Sequence, residues 1–187
     1  MARVTAEFNW IRRTGPAVLS CLLLGSCAGN GPVQTRSDSI EQFVRDCSAQ
    51  ARLAVVPKNY RVRTFGSNPE AIVRLLGLIS AGEKTGTFTS PWIYERELER
   101  KPVRDGYTVV MGPDREPRLL LRTVELQMLT FETITEDHAR FDGPGARELS
   151  RWRDIHLAFF TRELARHGMQ PQSDMPVVLE RFKVICE

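Results

Sequence analysis

The stretch "TFGSNPEAIVRLLGLISAGEKTGTFTSPWIYE", residues 64–95, decides how this chain is to be read. Its middle carries the pattern of one amphipathic helix. Asn68 is a good N-cap, and Pro69 suits the first helical position, where no backbone N–H is required. Ile72, Leu75, Leu76 and Ile79 recur at helical spacing and form one apolar stripe. Gly82 is the expected stop. Beyond it the pattern changes to threonine-rich alternation, "TGTFTS", which predicts a strand. Lys84 therefore falls in a helix-to-strand turn, between two glycines and among hydroxyls.

A lysine in such a turn invites comparison with a nucleotide P-loop. That pattern needs glycine directly before the lysine and another glycine five residues earlier. Here Glu83 and Leu78 hold those positions. The order is also reversed, because a P-loop runs from strand into helix so that the helix N-terminus faces phosphate. A P-loop is excluded. On composition alone, Lys84 is a charge complementing the carbonyls at a helix C-terminus.

Working outward, residues 39–54 show apolar positions at helical spacing, with Ser37 or Asp38 as the expected cap. "YRVRTFG", "GYTVVMG", "RLLLRTVELQMLTF" and "MPVVLERFKVI" read as strands, the third long enough to bend or bulge. "TEDHARF" predicts a short helix. Residues 146–167 predict a long one, with Leu149, Trp152, His156, Phe159, Phe160 and Leu164 near one side. These elements make one α+β domain over residues 39–187, a β-core with helices packed on it. A length of 187 residues, 42% hydrophobic and 26% charged, suits a single globular domain.

The formal net charge is +3, and Arg3, Arg12 and Arg13 against Glu7 place +2 of it in residues 1–27. The remainder is nearly neutral, which excludes a strongly basic footprint for long nucleic acid. The N-terminus reads as a targeting segment: a basic start ending in "IRR", then the short apolar run "AVLSCLLLGSC". That run is much shorter than the roughly 20 residues a spanning helix needs. Leu24-Gly25-Ser26-Cys27 resembles the bacterial lipoprotein signal, which implies removal of residues 1–26, acylation of Cys27, a polar tether over residues 27–38 and a lipid anchor at the cell envelope. The alternative is an unprocessed cytoplasmic protein. Export leaves Cys47 and Cys186 as an even pair, a disulfide in an oxidising compartment and two buried small hydrophobes in a reducing one. The three histidines, His138, His156 and His167, do not cluster with cysteine, so neither a metal site nor a cofactor is expected.

The blocks quoted above, together with "FETITEDHARFDGPG" and "LSRWRDIHLAFFTRELARHG", resemble in order the ASCH domain, whose fold is like that of the PUA RNA-binding domain. The resemblance implies a small PUA-like β-barrel with flanking helices and a cleft that takes a nucleobase, nucleoside or short RNA. In this family the GxKTxT turn lies at the cleft. Similar small members hydrolyse the acetyl amide of N4-acetylcytidine with that lysine, the threonine three residues on, and a glutamate of the HAxxE segment. The matching positions here are Lys84, Thr87 and Asp142. The last departs from the family by one methylene, and the acidic run that usually follows reads Gly143-Pro144-Gly145-Ala146.

Amide hydrolysis needs a base or nucleophile, a proton donor and stabilisation of an oxyanion. A lysine serves as base only when neutral, so burial has to lower its pKa. Thr87 reaches the same side as Lys84 only if the backbone kinks, since three residues change the face of a regular strand. Trp92 and Tyr94, beside Arg96 and Arg100, are candidates to stack a base and bind phosphate. Against this, residues 85–125 hold seven acids and seven Lys or Arg, as a mixed solvated face would. Trp152 and His156 read as core, with His156 hydrogen-bonded inside, and Arg153 as a candidate to point into the cleft. The rival to an amidohydrolase is a non-catalytic RNA- or nucleotide-binding module, or a cell-envelope binding module.

Overall fold

The structure is a computed structural model that describes residues 35–96 and 100–187. Five strands form one mixed sheet: β1 (Tyr60–Arg63), β2 (Gly86–Thr89), β3 (Tyr107–Met111), β4 (Pro117–Thr130) and β5 (Pro176–Cys186). Their spatial order is β1-β3-β4-β5-β2. β1 runs parallel to β3, and every other pair is antiparallel. The flanking helices are α1 (Arg36–Gln50), α2 (Pro69–Ser80), α3 (Pro91–Tyr94), α4 (Glu136–Ala139) and α5 (Leu149–Ala165). This is the α+β class with PUA-like architecture that the resemblance implied.

The sheet is curled rather than flat. β1 and β5 are three strand spacings apart, about 14 Å in a flat sheet. Yet the guanidinium of Arg61 in β1 contacts the carboxylate of Glu180 in β5. The register of β4 against β5 shifts between Leu120 and Leu121 and between Thr123 and Glu125. Such bulges bend a strand and increase its twist, and this long strand turns the corner at them.

Side-chain alternation distributes the core. Val110, Leu119, Leu121 and Phe182 point to one face and pack with Phe65 and with Ile79 of α2. The opposite face carries Val109, Met111 and Leu120 against Ile40 and Val44 of α1. Farther along, Val177, Leu179 and Phe88 meet Trp152, Phe160 and Leu164 of α5. Cys47 of α1 and Cys186 of β5 form a disulfide with Cα atoms 5.4 Å apart, tying the first described helix to the last strand.

Local boundaries follow their capping chemistry. The Asn68 side chain accepts from the Ala71 N–H, and Pro69 opens α2 as expected. The cap of α1 is Thr35, in a capping box with Asp38. Asp38 is thus the third residue inside the helix, and its carboxylate returns to the Thr35 N–H. The short α3 was not expected. Ser90 caps it by accepting from the Trp92 N–H, and Pro91 opens it.

Candidate functional site

Lys84 is placed by the end of α2. The N–H groups of Glu83 and Lys84 both donate to the Leu78 carbonyl, and Gly82 takes a φ of 70° to let the chain turn. Just before β2, Thr85 donates its N–H to the Phe141 carbonyl at 2.9 Å. That bond fastens the 3-10 turn of residues 140–142 against the start of β2. Two glycines permit the approach. A Cβ at Gly86 would lie 2.9 Å from the Phe141 Cβ. Gly143 has a φ of 100°, and a Cβ there would sit 3.4 Å from the Lys84 Cβ.

The result brings Asp142 onto Lys84 across 58 residues of sequence. Lys84 is 4% exposed. Its Nζ donates to the Gly86 carbonyl at 2.8 Å and to Asp142 Oδ1. The other carboxylate oxygen, Oδ2, lies 3.4 Å from His156 Nε2 of α5. His156 Nδ1 is 3.1 Å from the Trp152 carbonyl one turn back. The imidazole stacks on Trp152 with ring centroids 4.1 Å apart and meets the Phe88 ring edge-on. Burial pushes the His156 pKa below its ordinary value and outweighs the opposing pull of Asp142. A buried amine, a carboxylate and a neutral imidazole thus stand in line.

Thr87 is buried in β2 and pairs in register with Glu180 of β5, so those two side chains share a face. Glu180 was missed in the sequence. It is 2% exposed, and its Oε1 accepts from Thr123 at 2.6 Å and from Arg61. Its Oε2 is buried without a hydrogen-bond partner. A signal was present: in "VVLERFKVI" the glutamate has the parity of Val178 and Phe182, both buried. Arg61 was also read only as part of a strand.

The remaining candidates make other contacts. Trp92 packs on the α5 core cluster, and Tyr94 of α3 is buried, which raises the pKa of its phenol. Arg153 is exposed on α5 and donates to the Glu132 carbonyl at 3.4 Å. Two clefts open along β1. One, of about 430 Å³, is lined by Lys58, Tyr60, Arg61, Val62, Arg63 and Arg100. The other, of about 370 Å³, includes Arg61, Tyr107 and Thr123. None of Lys84, Thr87, Asp142, Trp92, Tyr94 or Arg153 lines either. Cys27 and the whole targeting segment lie outside the described residues. Among the described residues no group of three His, Cys, Asp or Glu is arranged to hold a metal ion.

The family model of the ASCH domain matches residues 61–186. Among solved structures, the chain is similar to the ASCH domain from Lactobacillus crispatus JV V101, with a TM-score of 0.68, 24% identity, and coverage of 81% of this chain and 94% of that one. It is also similar to protein EF3133 from Enterococcus faecalis V583, with a TM-score of 0.69, 28% identity, and coverage of 79% and 88%. No curated protein matches it. The match spans the curled sheet, the Lys84 turn and α5, and the chain belongs to the ASCH domain family.

Proposed function

We propose that this ASCH domain takes a nucleoside or short RNA and hydrolyses an N-acyl amide on a modified cytidine, with Lys84 as the reacting amine. The observation that carries this reading is the burial of Lys84 against Asp142 and the Gly86 carbonyl. The contact is made although Asp142 is one methylene shorter than the glutamate usual in the family. In the proposed reaction the Lys84 ammonium passes a proton to Asp142, the free amine takes a proton from the water that attacks the acyl carbon, the C–N bond breaks as the leaving N4 amine takes up the proton that Asp142 received, and the Thr87 hydroxyl assists at the same step.

The test is incubation of the purified protein with a panel of N-acylated nucleosides, N4-acetylcytidine first, with Lys84→Ala and Lys84→Arg as controls. Hydrolysis is expected in the wild type and in neither variant, since a guanidinium keeps its proton at working pH. Wild-type rates in Lys84→Arg would end the reading.

One observation favours a second reading, a non-catalytic nucleotide or RNA binder. The larger cleft along β1 is lined by Lys58, Arg61, Arg63 and Arg100, and the buried lysine is not among its lining residues. Binding of cytidine monophosphate that weakens in Arg100→Ala, with no turnover of any acylated nucleoside, would select it.

We further place the protein at the cell envelope, anchored through an acylated Cys27. The Cys47–Cys186 disulfide supports an oxidising compartment. Partition of the expressed protein into detergent, lost in Cys27→Ser, tests this.

A further inference from the structure

His156 is a buried titratable group with no part in the mechanism above. Its geometry fixes its tautomer. Nδ1 faces the Trp152 carbonyl at 3.1 Å, and a carbonyl only accepts, so Nδ1 carries the hydrogen. In the neutral ring Nε2 is then a bare acceptor. It faces a second acceptor, Asp142 Oδ2, at 3.4 Å. That distance is longer than an N–H···O hydrogen bond. One added proton would turn the two facing acceptors into a donor and an acceptor.

We propose that His156 positions Asp142 and transiently accepts the proton that Lys84 gives up. The Lys84 ammonium passes a proton to Asp142 Oδ1. The carboxyl turns about its Cβ–Cγ bond, presents the proton to His156 Nε2, and returns to carboxylate. The products are a free amine at Lys84 and an imidazolium at His156, with Nδ1–H still on the Trp152 carbonyl. The total charge of the three groups is the same before and after.

The surroundings keep the imidazolium short-lived, because burial among aromatic rings disfavours its charge and only Asp142 and the Trp152 carbonyl favour it. From β2 the imidazole meets Phe88, and from its own helix Trp152, Phe159 and Phe160. The charged groups facing it are Asp142 and, behind it, Lys84. Its helix neighbours Arg153 and Asp154 are exposed. The positive charge of Lys84 opposes the imidazolium, and it is this charge that the transfer removes. Apo contacts of this kind are often long and tighten only when the reaction complex forms.

The inference rests on Lys84 as the reacting amine, and its test does not require turnover. The intact protein, with 15N in its imidazole rings, is followed by NMR from about pH 5 to pH 9, the range in which histidine titrates. The expected wild-type result is hydrogen on Nδ1 throughout, with Nε2 gaining its proton on acidification below the ordinary histidine range. In Lys84→Met the midpoint should rise by about one pH unit, and in Asp142→Asn it should fall. A resting Nε2–H tautomer overturns the proposal, as does a midpoint unmoved by both variants. The wild-type tautomer is a test even where a variant fails to fold. If N4-acetylcytidine is hydrolysed, His156→Gln should reduce kcat at least tenfold with KM unchanged, and equal kcat overturns the relay. A wild type that hydrolyses nothing removes the amidohydrolase reading, while the titration still decides whether the three groups are coupled.

Discussion

Reducing the Cys47–Cys186 disulfide should lower stability by an amount the chain itself sets. The cysteines are 139 residues apart. The chain-entropy relation then gives about 17 cal/mol/K, or about 5 kcal/mol at 25 °C, as the upper figure. Residual structure in the unfolded chain and native-state strain bring typical values to about 2–4 kcal/mol. Both sulfurs lie in the cluster that α1 makes with Val109, Met111 and Leu120, so reduction frees α1 to peel from the sheet without opening a cavity. The assay is urea unfolding of the oxidised and the fully reduced protein, followed by fluorescence of the buried Trp152. With a slope near 2 kcal/mol/M, the midpoint should fall by about 1–2 M. Cys47→Ala with Cys186→Ala should fall further, because it also removes buried volume. Coincident oxidised and reduced curves, with Cys47 and Cys186 shown by alkylation and mass to be free after reduction, would refute the reasoning.

His156 predicts a pH dependence. Its folded pKa is depressed, so its contribution is complete above the unfolded value of about 6.5 and is lost as the pH falls from there toward the folded value. Stability measured between about pH 6.5 and 5 should drop by up to roughly 1.4 kcal/mol per pH unit. That component should be missing in His156→Gln, and an identical slope in both proteins would contradict it. Gly86→Ala should destabilise by about 1–3 kcal/mol, because its Cβ meets Phe141 at 2.9 Å. It should also pull Asp142 from Lys84, so any N4-acetylcytidine hydrolysis should fall with the melting temperature. Asp142→Glu adds a methylene where the carboxylate already meets Lys84 and His156, and overpacking of about 1–3 kcal/mol is expected in thermal melts. Unchanged melting would show slack around the carboxylate.

Residues close in sequence determined most of the elements. Asn68 and Pro69 opened α2, Gly82 ended it, and alternation marked β2, because caps and side-chain periods act over a few residues. The length of "RLLLRTVELQMLTF" already implied the bend that appears as two register shifts. The stripe from Trp152 to Leu164 was legible as one face of α5. The sequence also placed Lys84 in a turn and, through the family resemblance, named Asp142 as its companion. Only the tertiary structure showed that the two touch, that His156 stands behind Asp142, and that Cys47 meets Cys186. It alone brought Arg61 of one sheet edge to Glu180, three strands away. The physical reason is that a residue's period fixes which face it occupies, whereas the curl of the sheet and the crossing of helices decide which faces meet. Those depend on bulges and packing summed over the whole domain, which no local pattern encodes.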